Sequence, residues 1–127
     1  MSTSMKRRAI LVVRITVALF GIGYILLSAP LPLISSWWVA GESNYFDYLK
    51  RRHRIADGLV LSGSLMGKSR HEVEQVLGPP IETDYFRSWH LVYLLGAERS
   101  FISIDSEWLV IQLNELGIVS DARVLAD

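Results

Sequence analysis

The sequence predicts an α+β protein in which an N-terminal transmembrane helix precedes two helices packed on a three-stranded antiparallel meander. Three observations lead to this prediction: a long uncharged apolar segment, two helix patterns after it, and three strand patterns near the C-terminus. The chain has 127 residues, half of them hydrophobic, which suits one small domain beside a membrane segment. This apolar fraction excludes a disordered protein.

The first element is an apolar helix that we expect to cross a membrane. No charged residue occurs between Ile15 and Gly41, and the first half of this segment is almost entirely apolar. Extended a little toward the N-terminus, the apolar part spans about 30 Å as a helix, the thickness of a bilayer core. We therefore assign residues 1–42 to a basic cytoplasmic stub, a membrane anchor over about 9–34 and an interfacial linker. Residues 43–127 are assigned to a small extracytoplasmic α+β domain.

A cleavable signal peptide is the alternative to a retained anchor. A signal peptide begins with basic residues followed by an apolar run, and residues 6–8 with the segment after them fit this pattern. Its cleavage site is poorly defined, because Pro30 directly follows the apolar run and the small residues 39–41 lie far beyond it. We favour the retained anchor, with Trp37 and Trp38 in the far headgroup region of the bilayer.

Basic residues flank the apolar segment on both sides. Four precede it and four follow it within residues 50–54, so the positive-inside rule alone does not fix the orientation. The second group lies farther from the apolar segment and is mixed with Asp47 and Asp57. We therefore expect a single-pass protein of the inner (plasma) membrane, with its N-terminus in the cytoplasm and its C-terminal domain in the periplasm.

Charge and composition exclude several classes of function. Residues 1–40 carry a net charge of +4 and residues 41–127 a net charge of −4. An acidic domain argues against nucleic-acid binding, because phosphates require a basic surface. The absence of cysteine excludes a disulfide framework, a thiolate metal site, a cysteine nucleophile and a lipid-modified N-terminal cysteine.

The domain is predicted to begin with a helix. Residues at spacings of three and four recur from Tyr45 to Leu59, and Arg52 falls on the same stripe as the apolar side chains. The residue types at both ends suggest its caps: Ser43 or Asn44 at the start, and Gly58 or Gly63 at the end.

A second, shorter helix has the clearest local signal in the chain. Ser69 is followed three residues later by Glu72, which is the capping-box arrangement. A short apolar stripe at i, i+3 and i+4 begins at Val73, and Gly78 followed by two prolines ends the helix.

Three strands are predicted after the second helix. Aromatic and aliphatic residues favour strands over Trp89–Leu95, Trp108–Leu113 and Ile118–Leu125. The turn Asn114–Gly117 joins the last two strands as a hairpin. The connection between the first two strands is predicted to add a short extended piece at Phe101–Ile104.

The stretch from Gly67 to Pro80 resembles the signature of the SmpA/OmlA family, small proteins of outer-membrane assembly with the BamE-like fold. The resemblance covers about residues 65–124. It implies a two-layer BamE-like fold and a binding role. Lys68 stands where the family usually has methionine, and the lipidated cysteine of the family is absent, so a place in the assembly machinery itself is not implied. The matching residues are Ser69, Glu72, Val73, Leu77, Gly78, Pro79 and Pro80, with Tyr93 in the following strand and Gly117, Ile118 and Val119 in the hairpin.

Candidate catalytic and metal-binding groups are few. His53 and Asp57 have the i, i+4 spacing of metal ligands, which is equally the spacing of an ordinary surface pair. Asp105 and Glu107 form a possible carboxylate pair, which we interpret as a turn leading into a strand. The sequence therefore predicts no enzyme, no metal, no cofactor and no small-molecule substrate.

Two groups of residues are candidates for contact with a partner or a membrane. The basic run 50–54 follows several aromatic residues, and we interpret it as a solvated helix face. Contact with anionic headgroups or with an acidic protein partner is the alternative. The sheet aromatics are the second group, although core packing is expected for at least two of them. The candidates are Lys50, Arg51 and Arg54 in the first group, and Trp89, Tyr93 and Trp108 in the second.

These observations lead to one functional hypothesis and one alternative. The chain is predicted to be a membrane-anchored, non-catalytic interaction or scaffolding module of the bacterial cell envelope, resembling the small outer-membrane assembly proteins. Its partners would be the lipid bilayer and a protein that adds a strand to an unpaired sheet edge. The alternative is a secreted or released domain, inhibitor-like or binding to lipid surfaces, after signal cleavage.

Overall fold

The computed structural model describes residues 2–43 and 45–127, and it confirms an α+β architecture with an antiparallel three-stranded meander. The described part of the chain contains four helices, one more than predicted. In chain order the elements are α1 (Thr3–Ser28), α2 (Ser35–Ser43), α3 (Arg51–Ser62), α4 (Arg70–Leu77), β1 (Leu91–Ala97), β2 (Ser106–Leu113) and β3 (Val119–Ala126).

Helix α1 is the predicted apolar helix, although its bounds differ from the expected 9–34. It has 26 residues, so it is about 39 Å long. None of its residues is buried, and by length and composition it qualifies to cross a membrane. The helix ends at Ser28 because Pro30 and Pro32 follow, and proline cannot continue a helix.

Helix α2 was not predicted. It contains Trp38, which lies in the core and not at the expected membrane interface. Trp38 is buried, and its Nε1 donates to the Leu77 carbonyl at 2.9 Å. Its ring packs edge-on against Tyr93, with centroids 6.2 Å apart. The placement of Trp38 in the headgroup region is therefore wrong. The packed part of the chain, which comprises residues 30–43 and 45–127, starts earlier than the predicted residue 43.

Helix α3 is shorter than the predicted helix, because the chain before it forms turns. Lys50 precedes the helix in a left-handed conformation, with φ 51° and no side-chain cap. Gly63 caps the end of the helix, which confirms the second of the two predicted end positions, Gly58 and Gly63. The predicted caps at the start lie outside the described residues, since Asn44 and the side chain of Ser43 are not described.

Gly58 lies inside α3 and brings the chain after α1 onto this helix. A Cβ atom at this position would lie 2.7 Å from the Leu31 carbonyl oxygen. Only glycine leaves room for that approach. The segment between α1 and α2 therefore packs on α3.

Helix α4 confirms the predicted capping box and its end. The Glu72 amide donates to Ser69 Oγ at 3.2 Å, and the Ser69 amide donates to the Glu72 carboxylate at 3.3 Å. Val73 and Leu77 are buried, so this two-turn helix is stabilised by packing as well as by its cap.

The meander is covered on both faces. One face carries the larger core, formed with the helices around Leu91, Leu109 and Ile111. The other face carries a smaller cluster around Trp108, closed by Phe86 from the segment before β1. The predicted hairpin turn is confirmed: the Gly117 amide donates to the Asn114 carbonyl at 2.9 Å, and Gly117 has φ 75°.

The connection between β1 and β2 is an exposed loop. The extended piece expected at Phe101–Ile104 is not formed, and this prediction is wrong. Arg99 ties the loop to α3 and β2 instead, through side-chain hydrogen bonds.

Candidate functional site

The end of α1 is bound by an arginine of α3. Arg54 is only 8% exposed; its Nη2 donates to the Leu26 carbonyl at 2.7 Å and its Nε donates to the Ala29 carbonyl at 2.8 Å. The backbone also joins the segment after α1 to α3, since the Leu31 amide donates to the Arg54 carbonyl at 2.9 Å. We call this set of contacts the anchor junction.

The anchor junction is favourable on simple physical grounds. The last carbonyls of a helix lack partners within the helix, and they form the negative end of its dipole. A guanidinium supplies both hydrogen bonds and positive charge at that end. Arg54 therefore fixes α1 to α3, and its predicted role as an exposed contact is wrong.

Arg52 holds α2 and β1 together inside the core. It is 3% exposed, with Nε and Nη2 on the Leu94 carbonyl at 3.1 and 2.8 Å and Nη1 on the Trp38 carbonyl at 3.1 Å. The guanidinium also stacks on the Trp38 ring, 3.7 Å from its centroid. Burial lowers the pKa of Arg52 to about 10, so the side chain stays protonated at neutral pH.

His53, between these two arginines, is buried and neutral. Burial lowers its pKa to about 4, and the charges of Arg99 and Lys50 act in the same direction. Its Nε2 donates to the Ala97 carbonyl at 2.8 Å. Arg52, His53 and Arg54 are all buried, so the interpretation of residues 50–54 as a solvated helix face is wrong for these three.

The two remaining cations of the run also have partners. Lys50 Nζ donates to the Ala97 carbonyl at 3.1 Å and is half-buried. Arg51 forms an ion pair with Asp47 at 2.9 Å. Burial opposes ionisation of Asp47, but hydrogen bonds from the Arg51 side chain and from the Arg51 and Leu49 amides lower its pKa overall.

Asp57 is paired with an arginine rather than with His53. Arg99 Nη2 donates to Asp57 at 3.1 Å and Arg99 Nε donates to Glu107 at 2.8 Å. Burial disfavours the charge on Arg99, yet these hydrogen bonds raise its pKa overall. Within residues 2–43 and 45–127, no group of three histidine, aspartate or glutamate side chains is placed to hold a metal ion.

The predicted carboxylate pair is not brought together as an acid and a base. Glu107 binds Arg99, whereas Asp105 is exposed and its backbone carbonyl accepts from the Glu98 amide at 3.0 Å. The network formed by Arg99, Asp57 and Glu107 was not predicted, because Arg99 is separated from Asp57 by 42 positions.

Two of the three sheet aromatics lie in the core. Tyr93 is buried and its hydroxyl donates to the Gly78 carbonyl at 2.8 Å, and burial raises its pKa. Trp108 is buried and its Nε1 donates to Asp127 at 2.9 Å. The expectation that at least two of these aromatics pack in the core is therefore confirmed, and neither Tyr93 nor Trp108 is an exposed anchor. Trp89 is half-buried beneath the Arg123 guanidinium, 5.8 Å from its ring centroid.

The edges of the sheet differ in how far they are occupied. At the β1 edge, the Val92 carbonyl accepts from the Ile81 amide at 2.9 Å, and the Leu94 carbonyl accepts from Arg52. Arg52 and the segment before β1 therefore cover this edge.

The β3 edge is open. The Asp127 amide donates to the Ser106 carbonyl, so in this register the backbone groups of Ala122 and Val124 point away from β2. Beyond Val119, no backbone hydrogen bond reaches the outer side of β3 from any described residue.

A groove of about 400 Å³ lies beside β1, with Glu42, Arg52 and Tyr93 among its lining residues. The side chains of Arg52 and Tyr93 already donate hydrogen bonds to backbone carbonyls of the fold. Their arrangement serves packing rather than proton transfer.

Comparisons of the chain with protein-family models, with curated proteins and with solved structures found no match. The resemblance to the SmpA/OmlA family therefore stays a prediction.

Proposed function

We propose that this protein is a membrane-anchored, non-catalytic interaction module of the bacterial cell envelope, with α1 in the inner membrane and the packed part in the periplasm. The observation that carries the proposal is the anchor junction. An exposed apolar helix is bound at its last turn by Arg54, a buried cation of the packed part. The fold thus includes the end of the helix that we place in the bilayer.

The anchor junction supports a retained anchor over a cleaved signal peptide. Cleavage at residues 39–41 would remove Trp38 from the core, together with the Leu26 and Ala29 carbonyls that bind Arg54. A buried cation that loses its partners strongly destabilises a fold. Retention of α1 avoids this cost.

The open edge of β3 is the docking surface that we propose for a protein partner. An extended segment can pair with the outward backbone groups of Ala122 and Val124, and backbone pairing of this kind tolerates a range of partner sequences. The resemblance to the SmpA/OmlA family supports the same kind of role, and a BamE-like fold belongs to the same proposal.

Site-specific photocrosslinking in native membranes tests this function. A photoreactive amino acid at Ser120 or Ala126, both exposed on β3, should capture a defined protein, whereas the same group at exposed Arg87 should not. Ala122→Pro removes one outward N–H and should abolish capture without disturbing the pairing of β3 with β2. Equal capture at Arg87, or capture that survives Ala122→Pro, would contradict docking at this edge.

A further inference from the structure

Six apolar side chains stand out into solvent at one end of the packed part. Tyr48 is 97% exposed and Phe101 is fully exposed, although both are large aromatic residues. They belong to two segments, the turns before α3 and the loop between β1 and β2. We call the six together the apolar rim: Phe46, Tyr48, Leu49, Phe101, Ile102 and Ile104.

The two segments of the apolar rim are neighbours in space. The Ala97 amide donates to the Tyr45 carbonyl at 3.1 Å, and the Ala97 carbonyl accepts from Lys50 Nζ at 3.1 Å. Ala97 is the last residue of β1, directly before the loop that carries Phe101. The rim is therefore one surface rather than two separate ones.

The apolar rim also lies beside the end of α1. Arg54 contacts the Leu49 carbonyl at 3.4 Å while it binds the Leu26 carbonyl of α1, so the turns before α3 lie level with the last turn of α1. The loop is held on the same side, because Arg99 binds Asp57, and Asp57 lines an open groove of about 540 Å³ together with Ser28.

We propose that the apolar rim is a second membrane contact, inserted into the headgroup–acyl boundary of the bilayer that α1 spans. This inference rests on the proposed function, since it needs α1 in the membrane. Aromatic side chains favour that boundary, and both α1 and the rim beside its last turn expose large apolar side chains. The cations that directly follow Leu49 already have partners within the fold, Lys50 on the Ala97 carbonyl and Arg51 on Asp47, so the contact is apolar rather than electrostatic.

The opposite end of the sheet supplies a matched control. Leu116, in the turn between β2 and β3, is 84% exposed and lies at the other end of β2 from the loop that carries Phe101. Because β2 has eight residues, its two ends are about 24 Å apart. A membrane contact confined to the rim end of the sheet leaves Leu116 in water.

Spin-label accessibility tests the proposal on the full chain in phosphatidylcholine vesicles. Because the chain has no cysteine, single cysteines can be labelled without further changes. We expect labels at F101C, I104C and Y48C to collide several-fold more with oxygen than with a water-soluble nickel complex, like a label at V17C within α1. A label at L116C should favour the nickel complex.

The outcomes separate this inference from the proposed function. If V17C lies in lipid while the three rim labels match L116C, the second membrane contact is overturned and the anchor stands. If V17C is as accessible to nickel as L116C, the anchor fails and the rim contact fails with it. Rim labels shielded from both reagents would indicate a protein partner and would also overturn the inference.

Discussion

Helices α1 and α3 place their side chains in opposite ways, and neither follows the pattern of a helix on the surface of a water-soluble protein. Helix α1 leaves all its apolar side chains exposed, whereas α3 buries three consecutive basic residues, 52–54. The exposure of the apolar side chains of α1 is explained if this helix lies in a lipid bilayer. The burial in α3 is explained by backbone carbonyls that receive the charged groups, two of them at the end of α1. The carbonyls at the end of α1 thus explain why Arg54 can be buried, and Arg54 in turn holds the end of α1 against α3.

The largest effect should come from placing charge inside α1. Arginine near the centre of a membrane helix costs about 2.5–3.5 kcal/mol per residue. The double variant Val17→Arg/Phe20→Arg should therefore lose most of the protein from the membrane fraction after alkaline extraction. Ser2→Arg/Ser4→Arg, at the helix start, should leave it there. Equal retention of both variants would contradict a membrane environment for α1.

The buried Arg52 of α3 should contribute far more to the free energy of unfolding than an exposed arginine of the same chain. Arg52→Met leaves the Leu94 and Trp38 carbonyls without their donor, and we expect the free energy of unfolding to fall by about 3 kcal/mol. Arg87→Met removes only an ion pair between two exposed side chains, Arg87 and Asp84, and should change it little. Urea unfolding of the full chain in detergent, followed by tryptophan fluorescence, measures both. Similar losses for the two variants would contradict the assigned burial.

Acid should weaken the packed part through His53. The pKa of His53 is about 4 in the folded protein against 6.5 ordinarily, so between these values the unfolded chain binds a proton that the folded chain does not. The contribution of neutral His53 to the free energy of unfolding is complete above pH 6.5. It falls as the pH drops toward 4, by up to about 1.4 kcal/mol per pH unit.

His53→Gln should flatten this dependence of the free energy of unfolding on pH. The neighbouring charges of Lys50, Arg99 and Asp57 remain in the variant, so the change in slope isolates the histidine. Parallel pH profiles for the two proteins would show that His53 is not the group responsible.

The smallest effect compares helix caps in the two regions. Ser69→Ala removes the cap of α4 and should cost about 1 kcal/mol of the free energy of unfolding. Ser2 caps α1 in the same manner, accepting from the Met5 amide at 3.3 Å. Ser2→Ala should leave the unfolding of the packed part unchanged, and a loss equal to that of Ser69→Ala would mean that α1 unfolds together with it.

The elements with local signals could be predicted from the sequence. The cap of α4 lies within four residues of chain, and the hairpin needs only the turn that ends at Gly117. The apolar length of α1 is likewise a property of one segment. The antiparallel meander follows from three strand patterns joined by short connections.

The parts that could not be predicted depend on contacts between distant residues. Trp38 is bound by Leu77, 39 positions away, and Arg54 by Leu26, 28 positions away. One signal pointed toward the burial in α3: Arg52 falls on the helix stripe that also carries Ile55. Consecutive helix residues point about 100° apart, so the side chains of five consecutive residues cannot share one solvated face.

The mature chain itself gives the most direct test of the central claim that α1 is retained in the membrane and bound by Arg54. Mass spectrometry of the protein extracted from washed membranes should find a chain that still contains α1. A chain that begins after Ala29 or Ala40 and is recovered in the soluble fraction would contradict the claim, because it would lack the carbonyl partners of Arg54.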